Sequence, residues 1–307
     1  MKKTTFITLC ALLFLQFEAA FAQNLKLITI NQLKCKTAFE LSGMVASPFG
    51  VMAIEDGVPH LFQIDTTNFQ VEIYKQYPIP DGQTETDLEG IDFYQGKLVI
   101  VDESSSKIHF LTEDKWVNIP YELSPEVFQQ KYDFSVWGNA GYEGLAFDSL
   151  THHLFLAKER LSPDGVDRMI YDIDMETGKL IGMYSTQKHS DNPAYADIKV
   201  DHKNGKTFLY ILERNDYLIT RVDLQTSEVK AYSFAGYMNN NKKELILYKS
   251  HNKRYGIAEA LMLTSSQIWV GLDNNNYPIK KRHPMAKKFK LKGRAPAILI
   301  FERPDDF

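Results

Sequence analysis

The chain has 307 residues, of which 44% are hydrophobic, and its 35 basic and 39 acidic side chains give a formal net charge of -4. A chain of this length can bury enough apolar surface to fold without disulfide bonds. Its slightly acidic balance argues against a nucleic-acid-binding protein, because such proteins usually carry a basic surface.

The N-terminal segment has the features of a secretory signal peptide. Lys2 and Lys3 precede an apolar run over residues 6–17, and Ala20-Phe21-Ala22 has the small-residue spacing of a cleavage site. We therefore expect residues 1–22 to be removed before Gln23, with an uncleaved N-terminal anchor as the alternative. The mature protein is then exported to the periplasm or the extracellular space without a lipid anchor.

The mature chain, residues 23–307, is expected to form one domain without a transmembrane segment. Its net charge would be -5, and Cys35 would be its one remaining cysteine, which excludes an intramolecular disulfide. We interpret Cys35 as a buried small apolar residue. We expect a monomer that does not bind nucleic acid.

A sequence phrase recurs five times along the chain. The copies are "LSGMVASPFGVMAIED", "LEGIDFYQGKLVIVDE", "YEGLAFDSLTHHLFLAKER", "ADIKVDHKNGKTFLYILERN" and "AEALMLTSSQIWVGLDNN". Their common anchor positions are Gly43, Gly90, Gly144, Asp197 and Ala260, which are 47, 54, 53 and 63 residues apart. Each copy has two apolar arms around turn residues, so each predicts a β-hairpin.

Two further strands follow most copies, so the repeating unit is a four-stranded antiparallel meander of roughly fifty residues, the signature of a β-propeller blade. The last copy is followed by only one strand, "PAILIFER", and the mature N-terminus offers the missing one, Asn24 to Leu33. We therefore predict an all-β propeller of five four-stranded blades whose two chain ends share a blade. Six blades is the alternative, if residues 122–140 contain another one.

Acidic residues begin the first strand and end the second strand of most copies, so both sets are expected on one face of the ring. The first set is Glu89, Glu143 and Glu259, with Ser42 in blade 1 and Asp197 displaced by one place in blade 4; the second is Glu55, Glu103, Glu159, Glu213 and Asp273. In a structural interpretation, these carboxylates accept backbone N–H groups of the neighbouring blade. In a functional one, they hold a hard divalent cation such as Ca²⁺ or act as an acid/base pair.

Cations interrupt this acidic pattern in the later repeats. Lys158, Arg160 and Arg214 end strands beside the acids, where they either pair with them or bind an anionic substrate. The insert Tyr277–Ala295 adds Lys280, Lys281, Arg282, His283, Lys287 and Lys288 after Asp273-Asn274-Asn275. It is interpreted as a solvated loop or as a lid that attracts anionic groups.

The repeats resemble the phytase-like propeller family, described as having "esterase-like activity of phytase". The resemblance covers about residues 39–303 and lies in Glu89-Gly90-Ile91, Asp102-Glu103, Glu143-Gly144-Leu145, Leu212-Glu213-Arg214, Glu259-Ala260-Leu261 and Asp273-Asn274. It implies an exported propeller that hydrolyses phosphate or carboxylic esters. Ser42 and Asp197 depart from the family pattern.

The resulting hypothesis is a metal-assisted hydrolase of a small anionic phosphate or carboxylic ester. Glu103, Glu159 and Glu213 are the candidate catalytic residues; Lys158, Arg160, Arg214, Lys281 and Arg282 are the candidate substrate-binding residues; Glu89, Glu143, Glu259 and Asp273 are the candidate ligands of a cation such as Ca²⁺. A non-catalytic ligand- or protein-binding propeller and a metal-dependent lactonase are the alternatives, because the fold supports all three.

Overall fold

Five antiparallel sheets follow one another along the chain, one for each sequence repeat. The computed structural model describes residues 12–14, 22–36, 38–79, 84–105, 107–119, 141–159, 168–186, 194–238, 247–248 and 257–307. Most of the expected signal peptide, Arg160 and the stretch 122–140 lie outside these ranges.

The strands of blades 1 to 3 follow chain order. Blade 1 contains β4 (Leu41–Ser47), β5 (Gly50–Glu55), β6 (His60–Ile64) and β7 (Val71–Gln76); blade 2 contains β8 (Leu88–Tyr94), β9 (Lys97–Asp102), β10 (Lys107–Leu111) and β11 (Trp116–Asn118). Blade 3 contains β12 (Tyr142–Asp148), β13 (His153–Lys158), β14 (Met169–Asp174) and β15 (Lys179–Ser185), with β1 (Leu12–Phe14) added in parallel at its outer edge.

Blades 4 and 5 also use strands from near the N-terminus. Blade 4 contains β16 (Tyr195–Lys203), β17 (Lys206–Glu213), β18 (Leu218–Asp223) and β19 (Val229–Ser233), with β2 (Gln23–Asn24) beside β19. Blade 5 contains β20 (Ala258–Leu263), β21 (Gln267–Leu272), β22 (Ala297–Glu302) and β3 (Leu27–Gln32). The antiparallel pairing of β3 with β22, as of Ile30 with Leu299, closes the ring and confirms the predicted shared blade.

The innermost strands β4, β8, β12, β16 and β20 form the ring, because each contacts the next and β20 contacts β4. A separate apolar cluster fills each of the five blade interfaces. Inner strands are therefore buried on both faces, as in β12, where all seven residues are buried. Outer strands such as β7 expose most of their residues. The fold is the predicted five-bladed propeller.

Side chains of two inner strands fix neighbouring blades and cross the centre. The carboxylate of Asp92 accepts the Phe147 N–H at 2.8 Å, and that of Asp197 accepts the Leu261 N–H at 2.7 Å. Lys199 contacts Asp197 at 2.8 Å and donates to the Ile91 carbonyl at 3.3 Å, which links blade 4 to blade 2. These bonds match the structural interpretation of the acids, but Asp92 was not among the predicted residues.

Within the described residues, two short helices flank the blades: α1 (Ala235–Met238) follows blade 4, and α2 (Pro284–Lys288) lies in the basic insert. His283 caps α2 by accepting the Met285 N–H and also contacts the Met238 carbonyl at 3.1 Å. Ala286 and Leu291 are buried in the core between blades 4 and 5. The insert is thus a packed element. No helix in the described ranges is long and apolar enough to span a membrane.

Candidate functional site

Each inner strand begins with a β-bulge at the same place. The strand register skips one residue in every blade, and the five skipped residues are Ser42, Glu89, Glu143, Ala196 and Glu259. A bulge re-aims the side chain of the extra residue, so three glutamates have equivalent placements. Asp197 is not a displaced member of this set, because it pairs with Leu212 just as Gly90 pairs with Val101.

The strand register also identifies the second set of equivalent residues. Glu55, Asp102, Lys158, Glu213 and Leu272 occupy one register position, and the residues after them are Asp56, Glu103, Glu159, Arg214 and Asp273. Three of the latter make the same backbone hydrogen bond: Glu103 to Asp87, Glu159 to Gly141 and Arg214 to Ala194. Arg214 therefore stands where the other four blades have an acid.

We call the resulting cluster the acidic mouth. Its members lie on one face of the ring and are Asp56, Asp87, Glu89, Glu103, Glu143, Glu159, Arg214, Glu259 and Asp273. The acidic mouth thus contains eight carboxylates and one guanidinium.

Arg214 neutralises one side of the acidic mouth. Its Nη1 contacts both carboxylate oxygens of Glu259, at 3.0 and 2.9 Å, and its Nη2 pairs with Glu159. Oε2 of Glu143 lies 3.6 Å from Nη1 and has no hydrogen-bond partner among the described residues. The side that contains Asp87, Glu89 and Glu103 makes no ion pair with a described lysine or arginine.

Glu103 connects the two sides and is held by the backbone of blade 3. Its Oε1 accepts the Gly141 N–H, and a Cβ atom on residue 141 would lie 2.3 Å from Cγ of Glu103. Only glycine allows this approach, so Gly141 determines where the Glu103 carboxylate lies.

Burial and mutual repulsion raise the pKa values of several of these acids. At Glu89 burial is the largest cause and repulsion by Glu143 and Glu259 follows, so the pKa of Glu89 lies well above its usual value. Burial also holds the pKa of Glu143 well above its usual value, despite the opposing effect of Arg214. The pKa of Glu103 is raised to about 7, mainly by burial and then by Asp87 and Glu159. Burial likewise raises the pKa of Glu259 to about 7, against the effect of Arg214. Carboxylates in this state gain from a bound cation.

Among the residues that the structure describes, two groups of three carboxylates have the spacing of metal ligands. One oxygen each from Asp87, Glu89 and Glu103 lies within 4.8 Å of the others, and the same is true of Glu103, Glu143 and Glu159. Carboxylate oxygens in this number suit Ca²⁺ or Mg²⁺. Glu103 belongs to both groups.

Asp273 lies in the acidic mouth and accepts the Asn275 N–H at 2.8 Å. The remaining predicted site residues lie in other surroundings. Glu213 is fully buried, where Arg168 contacts Oε2 at 2.9 Å and the Thr220 hydroxyl donates to Oε1 at 2.6 Å. Lys158 is buried at the end of β13. Lys281 and Arg282 are exposed on the insert.

Sequence reasoning did not select Asp56 and Asp87 as site residues. Asp87 stands three places before the Gly90 anchor, where blade 1 has Glu40, and Asp56 follows Glu55 as Glu103 follows Asp102. Comparing the residues that flank each repeat would have identified both.

One protein family matches most of the chain. A family described as SdiA-regulated matches residues 52–245. No curated protein matches the chain significantly.

Several solved structures are similar in overall shape. The PQQ-bound aldose sugar dehydrogenase of Streptomyces coelicolor is 11% identical, with 89% of this chain and 98% of that chain covered and a TM-score of 0.46. The glutaminyl cyclase of Myxococcus xanthus is also 11% identical, with coverage of 91% and 97% and a TM-score of 0.45.

A third structure is the extracellular domain of a protein described as a one-component system from B. thetaiotaomicron. It is 11% identical with a TM-score of 0.40, and 78% of this chain matches 27% of its length. The chain therefore spans about a quarter of that structure. TM-scores below 0.5 carry no information about function.

Proposed function

The chain belongs to the SdiA-regulated family, and from that premise we propose that it is an exported propeller that hydrolyses a phosphate or carboxylic ester at the acidic mouth with the help of a divalent cation. The observation that carries the proposal is the pair of carboxylate groups that share Glu103. The resemblance of the repeats to phytase-like propellers supports ester hydrolysis as the reaction.

Asp87, Glu89 and Glu103 would hold the cation first, because no described cation neutralises them. When bound, a divalent cation polarises the ester oxygen and lowers the pKa of water. Glu103 would accept the proton of that water, because it belongs to both groups of carboxylates and so lies beside the cation. The Gly141 N–H fixes Oε1 of Glu103, and the Glu103 carboxylate also contacts Asp87.

Arg214 is the described side chain best placed to meet the anionic group of a substrate. Lys158 is buried on the other register position, and Glu213 is engaged by Arg168 and Thr220. We therefore assign Glu213 a stabilising role between strands, and we leave Lys281 and Arg282 as candidates for attracting substrate from the insert.

Calorimetry with Ca²⁺ and an ester panel test the proposal. Protein beginning at Gln23 is titrated with Ca²⁺ and assayed on phosphomonoesters, carboxylic esters and lactones, with and without EDTA. We expect binding and EDTA-sensitive turnover, both weakened in Glu103→Gln. Glu302→Gln is the matched control, because Glu302 is half exposed at the opposite end of blade 5. Absence of both binding and turnover would refute the proposal.

A non-catalytic ligand-binding propeller is the second candidate. It is favoured by the contacts of Arg214, which already pairs with Glu159 and Glu259 instead of facing solvent. Ca²⁺ binding without turnover of any ester would identify this case, and turnover restricted to lactones would identify a metal-dependent lactonase.

Export is part of the same proposal. Intact mass measured on protein from a periplasmic or culture fraction should correspond to a chain that starts at Gln23. A mass that includes residues 1–22 would contradict it.

A further inference from the structure

Arg214 occupies a position at which the other four blades have an acidic residue. The equivalent residues in the other four blades are Asp56, Glu103, Glu159 and Asp273. The ring thus contains one internal cation at a place where its own repeat predicts a carboxylate.

The neighbouring carboxylates contact the nitrogens of the Arg214 guanidinium to different extents. Both oxygens of Glu259 contact Nη1, whereas Glu159 contacts Nη2 alone. Nε of Arg214 and Oε2 of Glu143 have no hydrogen-bond partners among the described residues, and Glu143 is only 3% exposed. A buried carboxylate oxygen that makes no hydrogen bond, with only the distant Nη1 of Arg214 at 3.6 Å, is costly and calls for a ligand.

We propose that Arg214 is an internal counter-ion that a divalent cation displaces from Glu143 and Glu159, and that the released guanidinium, still held by Glu259, binds the oxyanion of the substrate. This inference rests on the proposed metal-dependent function. This cation lies at the Glu103–Glu143–Glu159 group, the second of the two candidate groups to be filled, where it satisfies Oε2 of Glu143 and replaces the charge that Nη2 supplies to Glu159.

The released part of Arg214 has the geometry that oxyanions require. With Nη1 held by Glu259, the edge formed by Nε and Nη2 remains, and this edge donates two parallel hydrogen bonds to a carboxylate or phosphate. Cation and oxyanion then bind cooperatively, and each raises the affinity of the other by the same factor.

The first experiment compares Ca²⁺ affinities by calorimetry. Arg214→Gln removes the internal competitor, so its Ca²⁺ affinity should exceed that of the wild type by about tenfold, within the usual range of coupling between sites. Its melting temperature should be lower than that of the wild type in EDTA and should recover at saturating Ca²⁺. Arg303→Gln is the matched control, because Arg303 pairs with Asp201 at the opposite face, and its Ca²⁺ affinity should be unchanged.

The second experiment starts from the wild type and uses methylphosphonate as the oxyanion probe. Ca²⁺ should raise the affinity of the wild type for methylphosphonate by about fivefold or more. Arg214→Lys keeps the charge but lacks the two-donor edge, so this enhancement should be lost in it.

The outcomes separate this inference from the proposed function. Ca²⁺ binding that is no tighter in Arg214→Gln, or methylphosphonate binding that is independent of Ca²⁺ in the wild type, overturns the inference and leaves the metal site standing. Tighter Ca²⁺ binding in Arg214→Gln without hydrolysis of any ester supports the inference and overturns the hydrolase.

Discussion

At the scale of single residues, the acidic mouth depends on one backbone position. The Gly141 N–H donates to the Glu103 carboxylate, and a Cβ atom on residue 141 would overlap with the Glu103 side chain. The position of a candidate metal ligand is therefore set by a residue that has no side chain.

Gly141→Ala should weaken Ca²⁺ binding. The added Cβ atom would lie 2.3 Å from Cγ of Glu103 and must displace that carboxylate from both ligand groups. Loss of a supporting interaction around a metal ligand typically costs about 10–100-fold in affinity, which calorimetry can measure. Gly236→Ala is the control, since a Cβ atom there meets nothing within 4 Å. Equal affinities for the two variants would contradict this role of Gly141.

The stability of the protein should fall as the pH rises toward neutrality. The pKa values of Glu40 and Glu55 are raised from 4.5 to about 7, first by burial and then by neighbouring acids that include Asp56. The folded state holds these protons more tightly, so the stabilising contribution is complete below about pH 4.5 and is lost as the pH passes about 7. In EDTA, the melting temperature should decrease from about pH 5 to pH 8, and by less in Glu40→Gln/Glu55→Gln. A melting temperature that rises over this range would contradict the assignment.

At the scale of strands, the repeats predict the hairpins well but do not predict the bulges. The anchors Gly43, Gly90, Gly144, Asp197 and Ala260 are structurally equivalent, as the register shows. A bulge depends on how two strands pair, and no single strand sequence contains that information. The bulge is what aims Glu89, Glu143 and Glu259 into the mouth.

The ends of the second strands show a related limit. In blades 1 to 4, the second strand ends in two consecutive polar residues, such as Glu55-Asp56 or Glu213-Arg214. Successive side chains of a strand point to opposite faces. Sequence alone cannot decide which of the two faces the mouth. In blade 4 the contacts decide it: Arg214 pairs with Glu159 and Glu259 in the mouth, whereas Glu213 is engaged by Arg168 and Thr220.

Inner-strand glycines should limit how closely blades can pack. A Cβ atom on Gly144 would lie 2.7 Å from Cα of Asp197 and 2.9 Å from N of Ile198, which are backbone atoms of the next blade. Gly144→Ala should therefore lower the free energy of unfolding by about 1–3 kcal/mol, as overpacking does. Urea titration of Gly182→Ala serves as the comparison, because its nearest contact would be 3.4 Å. The prediction fails if both variants are equally stable.

At the scale of the whole molecule, the C-terminal segment joins blade 5 to blade 4. Phe307 is fully buried, with its ring 4.5 Å from that of Tyr210 and 4.7 Å from that of Tyr232. The Tyr232 hydroxyl donates to the Asp306 carbonyl at 2.8 Å. The segment therefore ties together two blades that also share an apolar interface.

Phe307→Ala should destabilise the entire ring. Truncation of a buried phenylalanine costs about 3–5 kcal/mol, and here the loss falls on the junction of two blades. Thermal unfolding should show a lower midpoint than that of Phe49→Ala, since Phe49 is 48% exposed and its removal leaves no cavity. Similar midpoints for the two variants would show that the C-terminal segment contributes little.

The pairing of β3 with β22 also determines when the ring can close. Leu27–Gln32 is synthesised before its partner Ala297–Glu302, which follows all other described strands of the ring. Contacts between such distant segments form slowly, because a long loop must be closed before they contribute. Until then, a chain with four complete blades presents unpaired strand edges to other chains. Partners that shield these edges, such as chaperones, should therefore matter most until β22 has paired with β3.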